Sequence, residues 1–283
     1  MKYDWVYLCS DPRRLEMTLK FLPEYLPGLE QMHVVFCSHF NQVTHSDFKA
    51  VLNQWQPTWL PIDVIDLSGW GGSLMPQGLQ NYFRNDVGPG GDGRVKTLGC
   101  KLLLPIIFQT PLLYTDDDVL MLRDPIKLYR QYGEYGNRGS FRLEGKKRDV
   151  LEDIAEAFDV PEYTEYPALF DANIIGAGIF FIAAHRNWKS RLERFSRCPY
   201  IGRLRNKGRE FFCLDQRFIT AFGLEHGWKQ IGLKEGFRRT FLAGKKLPRN
   251  FFEDATFVHY GCAPKDKAKW VDLLEAYHGQ ISM

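Results

Sequence analysis

Asp116, Asp117 and Asp118 stand between two apolar runs, Leu112-Leu113-Tyr114 before them and Val119-Leu120-Met121-Leu122 after them. Adjacent carboxylates at the end of a buried strand repel one another, and a strand end tucked under a sheet cannot shed charge into water. Something positive has to offset them. A divalent cation that prefers oxygen, Mn²⁺ or Mg²⁺, has suitable chemistry. Side chains alternate across a strand, so Asp116 and Asp118 share one face while Asp117 takes the other. The result is an Asp-x-Asp pair able to hold one ion, and such an ion can neutralise a diphosphate leaving group. The competing reading is a solvated acidic turn capping the next strand. The flanking apolar residues count against it, because burial makes unpaired charge costly.

The elements that must position these acids follow from periodicity. Trp5–Cys9, His33–Cys37 and Ile62–Leu67 are short apolar runs rich in β formers, and helical patterns through Leu15, Leu19 and Leu22 and over Asp47–Trp55 separate them. Strands alternating with helices imply βα units and a largely parallel sheet, whose carboxyl ends line a shared crevice. Gly69–Gly93 holds eight glycines with Pro76 and Pro89 and little apolar periodicity. It reads as a long loop, either a lid or a solvated excursion. Thr97–Gln109 reads as a helix kinked at Pro105, and Asp124-Pro125 opens another. Gly139–Leu143 is expected as a strand, Asp149–Phe158 as a helix and Ile174–Ala184 as a glycine-broken strand. Trp188–Phe195 and Phe212–Phe222 are expected helices, Thr256–Tyr260 a strand and Lys267–Tyr277 a closing helix. Neither a repeat nor a linker divides the chain, so residues 1–283 read as one domain. Residues 1–100 form its nucleotide-binding half and 101–283 the half with the acidic cluster.

Composition sets broad bounds. The chain has 283 residues, 45% hydrophobic and 25% charged, with a formal net charge of +3. That is ordinary globular composition, and so weak a charge permits an anionic partner without demanding one. Phe, Tyr and Trp reach 14%; such residues line nucleotide and sugar pockets but also fill large cores. No two of the six cysteines form a CxxC pair, which weighs against a zinc knuckle or thioredoxin-type site, and Cys9 and Cys37 read as buried thiols. No run of apolar residues is long enough to span a bilayer, and no signal segment is visible, so a cytoplasmic protein with reduced thiols is expected.

The stretch LLYTDDDVLMLRDP resembles the signature of GT-A-fold glycosyltransferases. It is most similar to glycosyltransferase family 8, which includes glycogenin and bacterial lipopolysaccharide galactosyltransferases. Further landmarks follow in the family's order. Lys101 precedes Asp116 by fifteen residues. Gly176–Ile182 (GAGIFFI) resembles the Asn-Ser/Ala-Gly strand, with Asp171 and Asn173 just ahead of it. Leu214-Asp215-Gln216 resembles the Asp-Gln pair near the reacting sugar. His259-Tyr260-Gly261, then Lys265, resembles the closing His…Gly…Lys…Trp element, with Trp270 displaced. The sequence departs from the pattern at Gly176, where the family has Asn, and at CAPKDKAKW.

The resemblance implies an α/β GT-A fold, a mixed and mostly parallel central sheet flanked by helices. It implies transfer of a sugar from a nucleotide sugar, a UDP-sugar above all, to a saccharide or other hydroxyl acceptor, with retained anomeric configuration. Asp116, Asp118 and His259 are the implied metal ligands. Asp116, Asp117, Lys101, Lys265 and Gly261 are the implied donor contacts, while Gln216, Asp215, Asp171 and Asn173 surround the reacting sugar. Without that context His259 would read as a structural histidine, Asp215 as a helix cap and Lys101 as a cap or a phosphate partner. Basic clusters at Lys146–Arg148, Arg203–Arg209, Arg238-Arg239 and Lys245–Arg249 read as solvated surface, or as the footprint of an anionic acceptor such as lipopolysaccharide, a teichoic-type polymer or DNA. Two other classes compete: a metal-dependent nucleotidyltransferase or phosphoryl-transfer enzyme, whose glycine-rich basic loop is not seen after Trp5–Cys9, and a non-catalytic Ca²⁺-binding module.

Overall fold

The computed structural model describes residues 1–38, 43–69, 74, 76, 100–108, 111–138, 175–184, 187–197, 214–241, 252 and 254–261. Strand β1 (Tyr3–Leu8) leads to helix α1 (Pro12–Phe21), β2 (Leu29–Phe36), α2 (His45–Trp55) and β3 (Ile62–Asp66). A 3₁₀ turn over Lys101–Leu103 runs into the short helix α3 (Leu104–Ile107), followed by β4 (Leu112–Asp116), β5 (Val119–Met121), α4 (Ile126–Tyr132) and β6 (Tyr135–Arg138). Then come β7 (Ile175–Ile182), α5 (Trp188–Arg197), α6 (Leu214–Glu225), β8 (Lys229–Ile231), β9 (Phe237–Phe241) and β10 (Phe257–Gly261).

Seven strands form one sheet in the order β3-β2-β1-β4-β7-β6-β8, and β5-β10-β9 form a second. Strands β3, β2, β1 and β4 are mutually parallel, and β7 runs antiparallel to both its neighbours. The alternation that β1 shows in sequence becomes a sorting of side chains: Tyr3, Trp5 and Tyr7 enter one buried cluster, Val6 and Leu8 the other. Trp5 Nε1 donates to Thr115 Oγ1 at 2.9 Å, locking β1 against β4. Asp11 caps α1 by accepting the Arg13 N–H at 3.0 Å, with Pro12 in the first turn, where its missing N–H costs nothing.

The expected α/β fold with a large, mostly parallel central sheet is present. Several details differ. The helix expected over Thr97–Gln109 is, from Cys100 onward, a 3₁₀ turn joined to one α-helical turn, with Pro105 in the opening turn of α3 and not kinking a long helix. A strand occurs at Tyr135–Arg138, just before the expected Gly139–Leu143, which lies outside the described residues. Neither β8, at the edge of the large sheet, nor β9, in the second sheet, was expected; Lys229–Ile231 and Phe237–Phe241 carry too many polar residues to read as buried strands. The expected helices Asp149–Phe158 and Lys267–Tyr277, and most of the Gly69–Gly93 loop, lie outside the described residues.

The aromatic residues have a structural use. Trp188 packs edge-on against Phe218 and Phe222 and stacks near Phe180, so α5 and α6 are clamped onto β7. Each such ring contributes about 1.5–3 kcal/mol on full burial. The indole of Trp188 also donates to the Leu102 carbonyl at 2.9 Å, which fixes the turn carrying Lys101.

Candidate functional site

The three aspartates leave the end of β4 in three directions. Asp116 turns inward, where it accepts a hydrogen bond from the Tyr114 hydroxyl and lies 3.0 Å from the Lys101 ammonium. Lys101 has a side-chain exposure of 1% and is also 3.0 Å from Asp215, in the first turn of α6. Its third contact is the Ala177 carbonyl at 3.0 Å. Burial alone would favour a neutral amine, yet the two carboxylates more than reverse this and raise the Lys101 pKa. Burial raises the Asp116 carboxyl, Lys101 opposes that, and Asp118 adds to it.

Asp117 faces the opposite way. It accepts from the Ser10 N–H at 2.9 Å and the Ser10 hydroxyl at 2.5 Å, and pairs with Arg14 from α1. Burial works against the Arg14 charge, but Asp117 and then Asp118 raise its pKa. Asp118 lies beyond the end of β4, with its Oδ1 3.2 Å from Nε2 of His259 on β10. The pairing of β10 with β5 brings His259 opposite Val119, which is why two residues so far apart in sequence meet.

Gly178 of β7 completes the arrangement. A Cβ built there would stand 3.4 Å from Asp116 Oδ2 and 3.8 Å from both Asn137 Oδ1 and His259 Cε1. The strand bulges at this point: Gly136 pairs with Phe180, while the next residue, Asn137, pairs with Gly176. Lys101 takes the carbonyl of Ala177 within the bulge, and Asn137 Oδ1 accepts the Ile179 N–H at 2.9 Å. The missing side chain of Gly178 therefore opens space between Asp116 and His259.

The residues fit a divalent cation in one respect and lack a finished cage in another. His259 turns Nε2 toward Asp118, while Nδ1, on another ring edge, is buried without a hydrogen-bond partner. The 3.2 Å between Asp118 and His259 is close to the roughly 3.0 Å separating adjacent ligands about 2.1 Å from an octahedral ion. Among the described residues, however, no three His, Cys, Asp or Glu side chains are grouped so that they could hold a metal ion. Asp116, expected as a ligand, is engaged by Lys101 and Tyr114. Beside the dication expected to offset the aspartates, the protein supplies cations of its own. Lys101 pairs with Asp116 and Asp215, Arg14 pairs with Asp117, and Arg14 also feels the charge of Asp118.

Of the other expected site residues, Gly261 ends β10 and Gln216 lies in the first turn of α6. Asp171, Asn173 and Lys265 lie outside the described residues, as do the basic clusters Lys146–Arg148, Arg203–Arg209 and Lys245–Arg249. Sequence reasoning missed Ser10, Arg14, Tyr114 and Asn137. Only Arg14 offered a signal, as a cation in the first turn after an Asp-Pro helix start. Asp215, expected beside the reacting sugar and otherwise as a helix cap, lies in the first turn of α6 and pairs with Lys101. No helix among the described residues is long and apolar enough to cross a membrane.

No protein-family model matches the chain, and no curated protein matches it. Solved structures do. Mouse xyloside xylosyltransferase 1 superposes with a TM-score of 0.57 over 93% of this chain and 98% of that chain, at 15% identity. The galactosyltransferase LgtC, solved with donor and acceptor sugar analogues, gives 0.52 over 98% and 99%, at 14% identity. The glycosyltransferase GlyE of Streptococcus pneumoniae gives 0.52 over 98% of this chain and 60% of that chain, at 11% identity. The chain has the GT-A fold that these structures share.

Proposed function

We propose that the chain is a metal-dependent glycosyltransferase that moves a sugar from a nucleotide sugar, with a UDP-sugar as donor, to a saccharide or other hydroxyl acceptor. One observation carries this reading: at the C-terminal end of β4, where open α/β sheets bind ligands, Asp118 meets His259, and Gly178 leaves space between His259 and Asp116. The transferases that share the GT-A fold support it.

Asp118 and His259 would hold Mn²⁺ or Mg²⁺, with Asp116 beside them. When bound, the ion supplies positive charge to the departing nucleoside diphosphate. The remaining work falls to the protein. Lys101 holds Asp116 and Asp215 still, and Arg14 with Ser10 keeps Asp117 turned away from the crevice. Gly178 leaves room for a ligand to approach the backbone. Lys265 and Gly261 contact the diphosphate in this reading, and Lys101 contributes its charge from behind Asp116. Gln216 faces the anomeric carbon, while Asp215, Asp171 and Asn173 orient sugar hydroxyls. Anomeric configuration is retained, and residues 1–283 act as one domain.

The test is a screen of nucleotide sugars with and without Mn²⁺, following release of nucleoside diphosphate. Metal-dependent release from at least one sugar nucleotide is the expected result. Turnover that is unchanged in chelator, or no turnover of any donor, overturns the reading.

A further inference from the structure

The sulfurs of Cys37 and Cys100, from residues 63 apart in sequence, lie 3.4 Å from each other. Cys37 directly follows β2 and is fully buried; Cys100 is 7% exposed and directly precedes Lys101. The two thiols therefore join a fixed sheet strand to the turn that holds Asp116 and Asp215 in place. Cys9, also buried, belongs to the other core cluster, where its thiol donates to the Asp11 carbonyl at 3.2 Å.

We propose that Cys37 and Cys100 are a thiol-modification site that forms a reversible internal disulfide with a low-molecular-weight disulfide such as glutathione disulfide. The Cys100 thiolate attacks one sulfur of the reagent, the reagent's S–S bond breaks, and one glutathione leaves as a thiolate that takes up the released proton. The Cys37 thiolate then attacks Cys100 Sγ and expels the second glutathione. Two electrons pass from the protein to the reagent, and two glutathione thiols are formed. Cys100 is the first nucleophile because it is the more exposed, and the hydrogen bond with Cys37 draws its pKa down.

A disulfide needs sulfurs about 2.05 Å apart, so the pair closes by roughly 1.4 Å. Strand β2 is hydrogen-bonded on both sides, to β1 and β3. The turn at Cys100 is the partner that moves, and its motion changes the reach of Lys101 to Asp116 and Asp215. Disulfide formation itself needs no sugar transfer; its effect on turnover rests on the transferase reading.

The experiment uses the full, fully reduced chain in glutathione buffers of increasing oxidised fraction, followed by acid quench, intact mass and peptide mapping. The expected result is loss of two hydrogens, a cross-linked peptide pair containing Cys37 and Cys100, and reversal by dithiothreitol. In Cys37→Ser, Cys100 stops at the glutathione adduct. Thiols that stay free throughout, adducts without a cross-link in the native chain, or a cross-link between other cysteines overturn the proposal. Should the Ser variant fail to fold, the native map decides alone. Nucleoside diphosphate release is expected to fall several-fold on oxidation and to recover on reduction. A cross-link with unchanged release overturns the link to Lys101. A reduced chain that turns over no donor but still cross-links contradicts the transferase reading and supports the dithiol.

Discussion

The ammonium of Lys101 stands 3.0 Å from a carboxylate oxygen of Asp116 inside the core, and at the same distance from one of Asp215. One buried cation thus serves acids from a strand end and a helix start. Removing it leaves both carboxylates uncompensated, so Lys101→Met is expected to cost about 3–5 kcal/mol. Neutralising one acid as well, in Lys101→Met with Asp215→Asn, should recover part of that loss. Denaturant unfolding of the two variants measures both effects, and equal stability of single and double variants would count against the shared-cation arrangement.

Arg14 and Asp117 make a second such pair, with the serine turn completing the acceptor set. A double-mutant cycle with Arg14→Gln and Asp117→Asn should give a coupling of about 2–3 kcal/mol, near the upper end for contacting residues. A coupling near zero would mean that the pair is solvated and does not orient the aspartate turn.

The β7 bulge depends on glycine. A Cβ at Gly176 would fall 2.3 Å from Asn137 Nδ2, whose partner oxygen is already fixed on the Ile179 N–H. Gly176→Ala should therefore destabilise by about 1–3 kcal/mol through overpacking. Asn137→Ala should cost a similar ~1–3 kcal/mol by leaving that buried N–H without its acceptor. Together they should cost less than the sum, because the truncated side chain makes room for the methyl. Strict additivity in thermal or denaturant unfolding would contradict this geometry.

A pH dependence arises at β2. His33 lies between Asp63, at 2.6 Å from Nδ1, and Asp4, at 3.4 Å from Nε2, with the Phe108 ring packed 4.5 Å away. Burial lowers the imidazole pKa, but Asp63 and then Asp4 more than reverse that and hold it above its usual 6.5. The folded state thus binds this proton more tightly than the unfolded state. The associated stability is fully present below the ordinary value and is lost as pH rises through the raised one. The difference in unfolding midpoint between the native chain and His33→Gln should be largest in mild acid and shrink above neutrality. A difference that grows with pH would reverse the assigned sign.

The first half of the central sheet was legible because β1, β2 and β4 contain or adjoin the short apolar runs Trp5–Cys9, Val34–Cys37 and Leu112–Tyr114, as buried parallel strands require. Strand β6 (YGNR) was not read because, beside the buried Tyr135, its other buried positions are Gly136 and Asn137, which carry no apolar signal. The DDD cluster announced the site, but not its electrostatics. Lys101 and Arg14 reach Asp116 and Asp117 across more than a hundred residues or from another element, and local spacing says nothing of such meetings. The offset charge was therefore assigned wholly to metal. The structure gives much of it to the protein, leaving Asp118 and His259 as the pair in contact.

That pair is also the most direct point of attack. Calorimetric titration of Mn²⁺ into the chain saturated with UDP, beside the same titration of Asp118→Asn, measures whether it holds the ion. The native chain is expected to bind one Mn²⁺ per molecule and to bind UDP more tightly in its presence, while Asp118→Asn, still folded, loses Mn²⁺ affinity by about a hundred-fold or more. Equal Mn²⁺ affinity in both proteins, or UDP binding indifferent to the ion, would contradict the central claim.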